Sequence, residues 1–165
     1  MSISRIVIGI DPGTAITGYG IIREHTSGDL EWIQHGVITT QSDWNEPRRL
    51  LHLYLALQGI IKEYKPNCCA VEKIFFQKNV KTALSVGQGR GAALLALAEA
   101  DLPMGEYTPL EIKQAVVGYG AADKKQVQQM VKVLLNLEDL PKPDDAADAL
   151  AVAICYLHST RNVVY

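Results

Sequence analysis

The order in which hydrophobic periodicities follow one another is what most restricts the folds open to this chain. Three β-type runs come first: the β-branched stretch Arg5 to Asp11, then Thr17 to Arg23 after a Pro-Gly turn, then Leu30 to Thr40 after a Ser-Gly-Asp turn. Connections this short suit an antiparallel meander, because antiparallel neighbours need only a turn between them. At Pro47 the pattern switches. Leu50, Leu51, Tyr54, Leu57, Ile60 and Ile61 recur at helical spacing up to Lys65-Pro66, predicting a long amphipathic helix. Cys68 to Glu72 reads as a buried strand, and Ala92 to Ala100 as a helix entered through Gly87, Gly89 and Gly91. Met104 to Tyr107 is a short extended piece; Pro109 to Val117, Lys124 to Leu135 and Asp145 to His158 are three further helices. A meander followed by alternating strands and helices predicts an α/β protein. Its mixed sheet has three antiparallel strands first, then parallel strands added by crossovers, with helices on both faces. No repeat or Pro/Gly/Ser-rich linker interrupts the pattern, and 165 residues suit one core, so a single domain over 1–165 is expected.

Composition narrows the function classes. Apolar runs such as Ala92 to Ala98 and Ala149 to Leu157 are half a membrane span or less, which predicts no membrane association. The start of the chain lacks a signal-peptide pattern, and the three cysteines, Cys68, Cys69 and Cys155, have no metal-ligand spacing; both suit a reducing cytoplasm. A net charge of −2 counts against a purely electrostatic nucleic-acid binder. The charge is segregated, however. Lys73, Lys78, Lys81 and Arg90 fall in a stretch with no acid, while Glu138, Asp139, Asp144, Asp145 and Asp148 crowd near the end.

Chemistry in open α/β sheets collects at strand ends, so the acids that terminate apolar strands are the candidates. Asp11 ends the first strand before Pro-Gly, and Glu72 ends Cys-Cys-Ala-Val. Taken singly, Asp11 also suits a turn former, Glu72 a strand end facing water, and Asp144 or Asp145 a cap for the last helix. Asp148 is harder to assign a structural role. Its neighbours make the helix apolar nearly all round, and no Lys or Arg between Pro143 and His158 can neutralise it. Asp145 at i−3 and Asp144 at i−4 could each share its face. If such acids converge, divalent metal must offset their repulsion. Oxygen-only ligands select Mg²⁺, with Mn²⁺ as a substitute, and two ions about 3.5–4 Å apart would support phosphodiester hydrolysis.

Four segments stand in an order that goes beyond this chemistry. They are Ile-Gly-Ile-Asp-Pro-Gly-Thr at Ile8 to Thr14 with Thr-Gly-Tyr-Gly at Thr17 to Gly20, and Ala-Val-Glu-Lys-Ile-Phe at Ala70 to Phe75 with Gly-Gln-Gly-Arg-Gly at Gly87 to Gly91. Then come Val-Val-Gly-Tyr-Gly at Val116 to Gly120 with Lys-Lys-Gln-Val-Gln at Lys124 to Gln128, and Asp-Ala-Ala-Asp-Ala-Leu-Ala at Asp145 to Ala151. Through nearly its whole length the chain resembles the RuvC family of Holliday junction resolvases. That resemblance implies a ribonuclease H-like endonuclease resolving four-way DNA junctions by paired nicks, in recombination and repair. It implies Asp11, Glu72, Asp145 and Asp148 as metal-binding catalytic acids, and it alone selects Asp145 over Asp144. It further implies a homodimer, a branch-migration motor and a junction-binding subunit of the RuvB and RuvA type, a junction contact at Phe75, and Lys113 and Lys124 near the phosphate backbone. For Lys78, Lys81, Arg90 and Lys125, DNA binding rests on charge alone. Two other classes share features of the pattern: actin-like and sugar-kinase ATPases, which duplicate this unit, and a non-catalytic or RNA-processing relative similar to the YqgF group.

Overall fold

The computed structural model describes residues 3–73 and 79–161. Strands β1 (Arg5–Asp11), β2 (Ile16–Glu24) and β3 (Leu30–Thr39) form the expected meander, with Asp11 opposite Gly18 and Ile16 opposite Thr39. Helix α1 (Glu46–Tyr64) begins where Asn45 accepts the Arg48 amide and ends at Lys65, held in the left-handed conformation at φ 48°. Strand β4 (Cys68–Glu72) then joins β1 in parallel, and β5 (Met104–Tyr107) joins β4 in parallel, giving the order β3-β2-β1-β4-β5.

Between β4 and β5 runs α2 (Val80–Glu99), which departs from the sequence expectation. It starts twelve residues before Ala92, capped by the Asn79 side chain, and the glycines expected to mark its entry lie inside it. The reason is tertiary. A Cβ at Gly89 would come within 3.0 Å of Gly13 and Thr14, so glycine here lets α2 pack on the turn after β1, and packing overrides the low helix propensity. Ser85 fastens the same contact: its hydroxyl donates to Thr14 Oγ1 at 3.0 Å, while Thr14 Oγ1 donates to the Ser85 carbonyl.

Helices α3 (Pro109–Val117) and α4 (Lys124–Leu134) each open with a reciprocal capping box, Thr108 with Glu111 and Asp123 with Gln126. Helix α5 (Asp144–Thr160) is buried on almost every side from Ala146 to Leu157, as its apolar composition predicts. It lies on one face of the sheet with α3 and α4, over Val7, Ile22, Cys68 and Ala70; α1 and α2 cover the other face, over Ile8, Ile10, Cys69 and Val71. All three cysteines are free and buried. Among the described residues no helix is long and apolar enough to cross a membrane. The far end of α5 is tied down by ions: Arg161 Nε donates to Glu24 Oε1 at 2.8 Å, Arg5 Nη2 meets Glu24 Oε2 at 2.5 Å, and Arg5 Nη1 reaches Thr160 at 2.9 Å.

Candidate active site

Strand alternation decides which way the terminal acids face. On β1, Val7 and Gly9 face α5, so Asp11 does too; on β4, Cys68 and Ala70 face α5, and Glu72 follows. The parallel register pairs Ile10 with Val71, which makes Asp11 and Glu72 neighbours at adjacent strand ends. Glycine then lets α5 come down onto them. A Cβ on Gly9 would strike the Ala149 carbonyl and lie 2.8 Å from the Ala153 amide nitrogen. One on Gly18, the cross-strand partner of Asp11, would strike the Asp145 carbonyl and lie 3.0 Å from the Ala146 nitrogen. The first turn of α5, with Asp145 and Asp148, is thereby brought to the end of β1.

The electrostatics report the crowding. Burial above all, then Glu72, Asp148 and Asp145, pushes Asp11 from the ordinary carboxylate range up to about 9. Burial and the neighbouring acids thus favour the protonated form of Asp11 in the metal-free protein, hydrogen-bonded to Glu72. Glu72 is itself raised by burial, against that hydrogen bond, and Asp148 is raised by burial, against the pull of Lys124. The Lys124 ammonium lies 3.4 Å from Asp148 Oδ2 and 3.4 Å from Asp144 Oδ2. Burial depresses the Lys124 pKa, but the two aspartates more than offset this and leave it raised. Among the described residues no three Asp, Glu, His or Cys side chains form a ready cage for an ion. The acids are near enough to repel one another, and in the metal-free protein a hydrogen bond between Asp11 and Glu72 and the Lys124 ammonium beside Asp148 offset that repulsion.

A cleft of about 190 Å³ opens beside them, lined by Glu72, Asp148, Lys113 and Lys124, with walls from Pro109, Ile112, Val127 and Ala151. Lys113 and Lys124 thus share the acids' cleft. Lys125, one residue on from Lys124, turns instead to a separate groove lined by Val117, Met130 and Val133. Arg90 is engaged elsewhere, its Nη2 pairing with Glu106 of β5 at 2.7 Å. Lys81 is exposed in the first turn of α2. Phe75 and Lys78 fall outside the described residues. The apolar walls and the link from Asp144 to Lys124 were not found from sequence. Nothing marks the former, and the only signal for the latter is the i, i+4 spacing of Asp144 and Asp148.

A five-stranded mixed sheet with acids ending β1 and β4 and opening the last helix has the ribonuclease H-like architecture. The family model described as crossover junction endodeoxyribonuclease RuvC matches residues 7–156. A curated relative of that name from Syntrophomonas wolfei is 57% identical over 155 residues, covering 94% of this chain and 90% of the relative. The solved structure of Thermus thermophilus RuvC superposes with a TM-score of 0.87 at 32% identity, covering 94% of this chain and 95% of the other. The structure of T. thermophilus RuvC in complex with Holliday junction substrate superposes with a TM-score of 0.90, covering 95% of each chain. The chain belongs to the RuvC family of crossover junction endodeoxyribonucleases.

Proposed function

We propose that this chain, acting as a single nuclease domain over 1–165, resolves four-way DNA junctions by paired, metal-dependent phosphodiester hydrolysis in recombination and repair. The observation that carries this reading is the convergence of Asp11, Glu72 and Asp148, with Asp145 adjoining, at one end of the sheet. These four are the proposed catalytic and metal-binding acids. Their fit to a cation rests on donor chemistry: hard carboxylate oxygens crowded enough to push Asp11 towards its protonated form, with Lys124 as the cation at ion-pair distance from Asp148 among the described residues. Mg²⁺, with Mn²⁺ as a substitute and two ions per site, would activate a water and stabilise the leaving oxygen of the cut strand. The chain's own groups do the rest. Lys113 and Lys124 attract the phosphodiester to the cleft, and Ile112, Val127 and Ala151 give it a partly water-excluding wall. The family resemblance adds Phe75, and charge adds Lys78 and Lys81, as proposed DNA contacts; Arg90 and Lys125 contribute charge from outside the cleft, Arg90 from within its ion pair.

Symmetric nicking calls for two sites, and therefore for a homodimer acting on opposed strands. Exposed Leu84 and Leu95 of α2 and Leu51 and Leu55 of α1 supply apolar surface suited to such a contact. Partners of the RuvA and RuvB type and a cytoplasmic setting belong to the same reading. It is tested with a synthetic four-way junction and a linear duplex of matched sequence, each in Mg²⁺ or Mn²⁺ and in chelator. Paired nicks in the junction only, and only with metal, are expected across some of a panel of junction sequences; equal cutting of the duplex would overturn junction selectivity.

The lysines give a separate expectation. Lys113→Ala should weaken junction binding, measured without cleavage in Ca²⁺, and reduce the slope of log affinity against log salt by about one unit, the signature of one lost phosphate contact. Lys125→Ala, facing the other groove, should change that slope less. The reverse ranking would move the DNA path from the acids' cleft to the groove lined by Val117, Met130 and Val133.

A further inference from the structure

Asp144 is the acid that the family motif leaves aside, yet its carboxylate is engaged on both oxygens. Helix α5 starts behind Pro143 with no side-chain cap, so Asp144 does not serve the helix end as a cap would. Its Oδ1 accepts from Gln128 Nε2 at 3.1 Å, and its Oδ2 lies 3.4 Å from Lys124 Nζ, the same ammonium that reaches Asp148. Asp144 and Asp148 stand one turn apart on α5, as Lys124 and Gln128 do on α4, so the two helices face each other through matched rows. Exposure grades along the row. The Asp148 side chain is 31% exposed, Lys124 54% and Asp144 65%, which makes Asp144 the outer of two carboxylates available to one lysine.

We propose that Asp144 is a positioning residue that retains Lys124 at the cleft mouth when a divalent cation takes over Asp148. The inference rests on the metal-site reading above. A cation on Asp148 repels the ammonium beside it, and Asp144 offers a second carboxylate one turn further out. Lys124 then stays beside the cleft, where a DNA phosphate can meet it. Gln128 anchors Asp144 so that this carboxylate stays outside the acid cluster. Without Asp144, Asp148 is the carboxylate left within ion-pair distance of Lys124 among the described residues, with Glu72 acting on it from further away, and lysine and cation compete for the same oxygens.

Mn²⁺ alone is titrated into the full-length protein without DNA, and the rise in melting temperature is followed for wild type, Asp144→Asn, Lys124→Ala and the double variant. Asp144→Asn should raise the Mn²⁺ concentration for half the shift roughly threefold, the scale of an exposed ion pair. In the Lys124→Ala background the same substitution should leave that midpoint unmoved, because the competitor is gone. Equal increases in both backgrounds would mean that Asp144 acts as a distant charge and would overturn the proposal, as would no increase in the wild-type background. If Mn²⁺ fails to raise the melting temperature of the wild type, the metal-site reading itself falls, a result distinct from either.

Discussion

Replacing Asp11 by Asn should abolish cleavage while leaving a metal-free protein that is more stable than wild type above neutral pH. Cleavage is expected to fall on the order of 10²–10³-fold or more, the scale seen when one preorganised electrostatic group is removed from an active site. The stability effect follows from where Asp11 titrates. In the unfolded chain its carboxyl ionises near 3.8; in the folded protein burial and the neighbouring acids defer ionisation to about 9. Between those values the folded state holds more protons than the unfolded state. The contribution of Asp11 to stability is therefore fully present below about 4 and is lost as pH rises towards about 9. Asn carries no such dependence, so the melting temperature of the variant in chelator should gain on wild type between pH 5 and pH 9. Mn²⁺ should stabilise the wild type markedly and the variant much less. A gap between the two proteins that stays constant across that range would mean that Asp11 is not held against the other acids.

The second large effect lies in the backbone. Gly18→Ala adds a single methyl where the Asp145 carbonyl already sits, and neither strand nor helix backbone can yield cheaply. A loss of about 1–3 kcal/mol or more is expected from overpacking. Activity should fall further than stability explains. Lifting the first turn of α5 moves Asp145 and Asp148 relative to Asp11 and Glu72, and a displacement of about 1 Å can cost on the order of 10²-fold in rate. Gly59→Ala is the control: nothing lies within 4 Å of a Cβ there, and its site in α1 should gain up to about 1 kcal/mol from helix propensity. Chemical denaturation and cleavage at a temperature where both variants are folded separate the two effects. A Gly18→Ala protein that cleaves normally would mean that the seat of α5 is looser than its contacts indicate.

Elements governed by their own pattern were legible from the chain. The β-branched run Arg5 to Asp11, the strand Cys68 to Glu72 and the capped helix from Pro109 have boundaries set by local chemistry, and they form where expected. The start of α2 was not legible, because three glycines in five residues signal a break locally and only the approach of Gly13 and Thr14 explains them. The convergence of Asp11 and Glu72 followed from both ending apolar strands. Asp148 followed from being an unpaired acid in an apolar helix. The lysines divided less predictably. Lys124 and Lys125 are adjacent in sequence but about 100° apart around α4, which sends one to the acids and the other to a different groove. Arg90 looked free in an acid-free stretch until β5 brought Glu106 against it.

The bare glycine seat beneath α5 has a bearing on how substrate can be accommodated. With no side chains between helix and sheet at Gly9 and Gly18, and with the far end of α5 bound through Arg161 and Arg5 to Glu24, the acids on β1, β4 and α5 form one rigid wall. Adjustment to an incoming strand then falls to the opposite wall, where Lys113 and Lys124 ride on the shorter α3 and α4. Any widening of the cleft is therefore expected from that helical pair, with the spacing among the carboxylates held by the seat of α5.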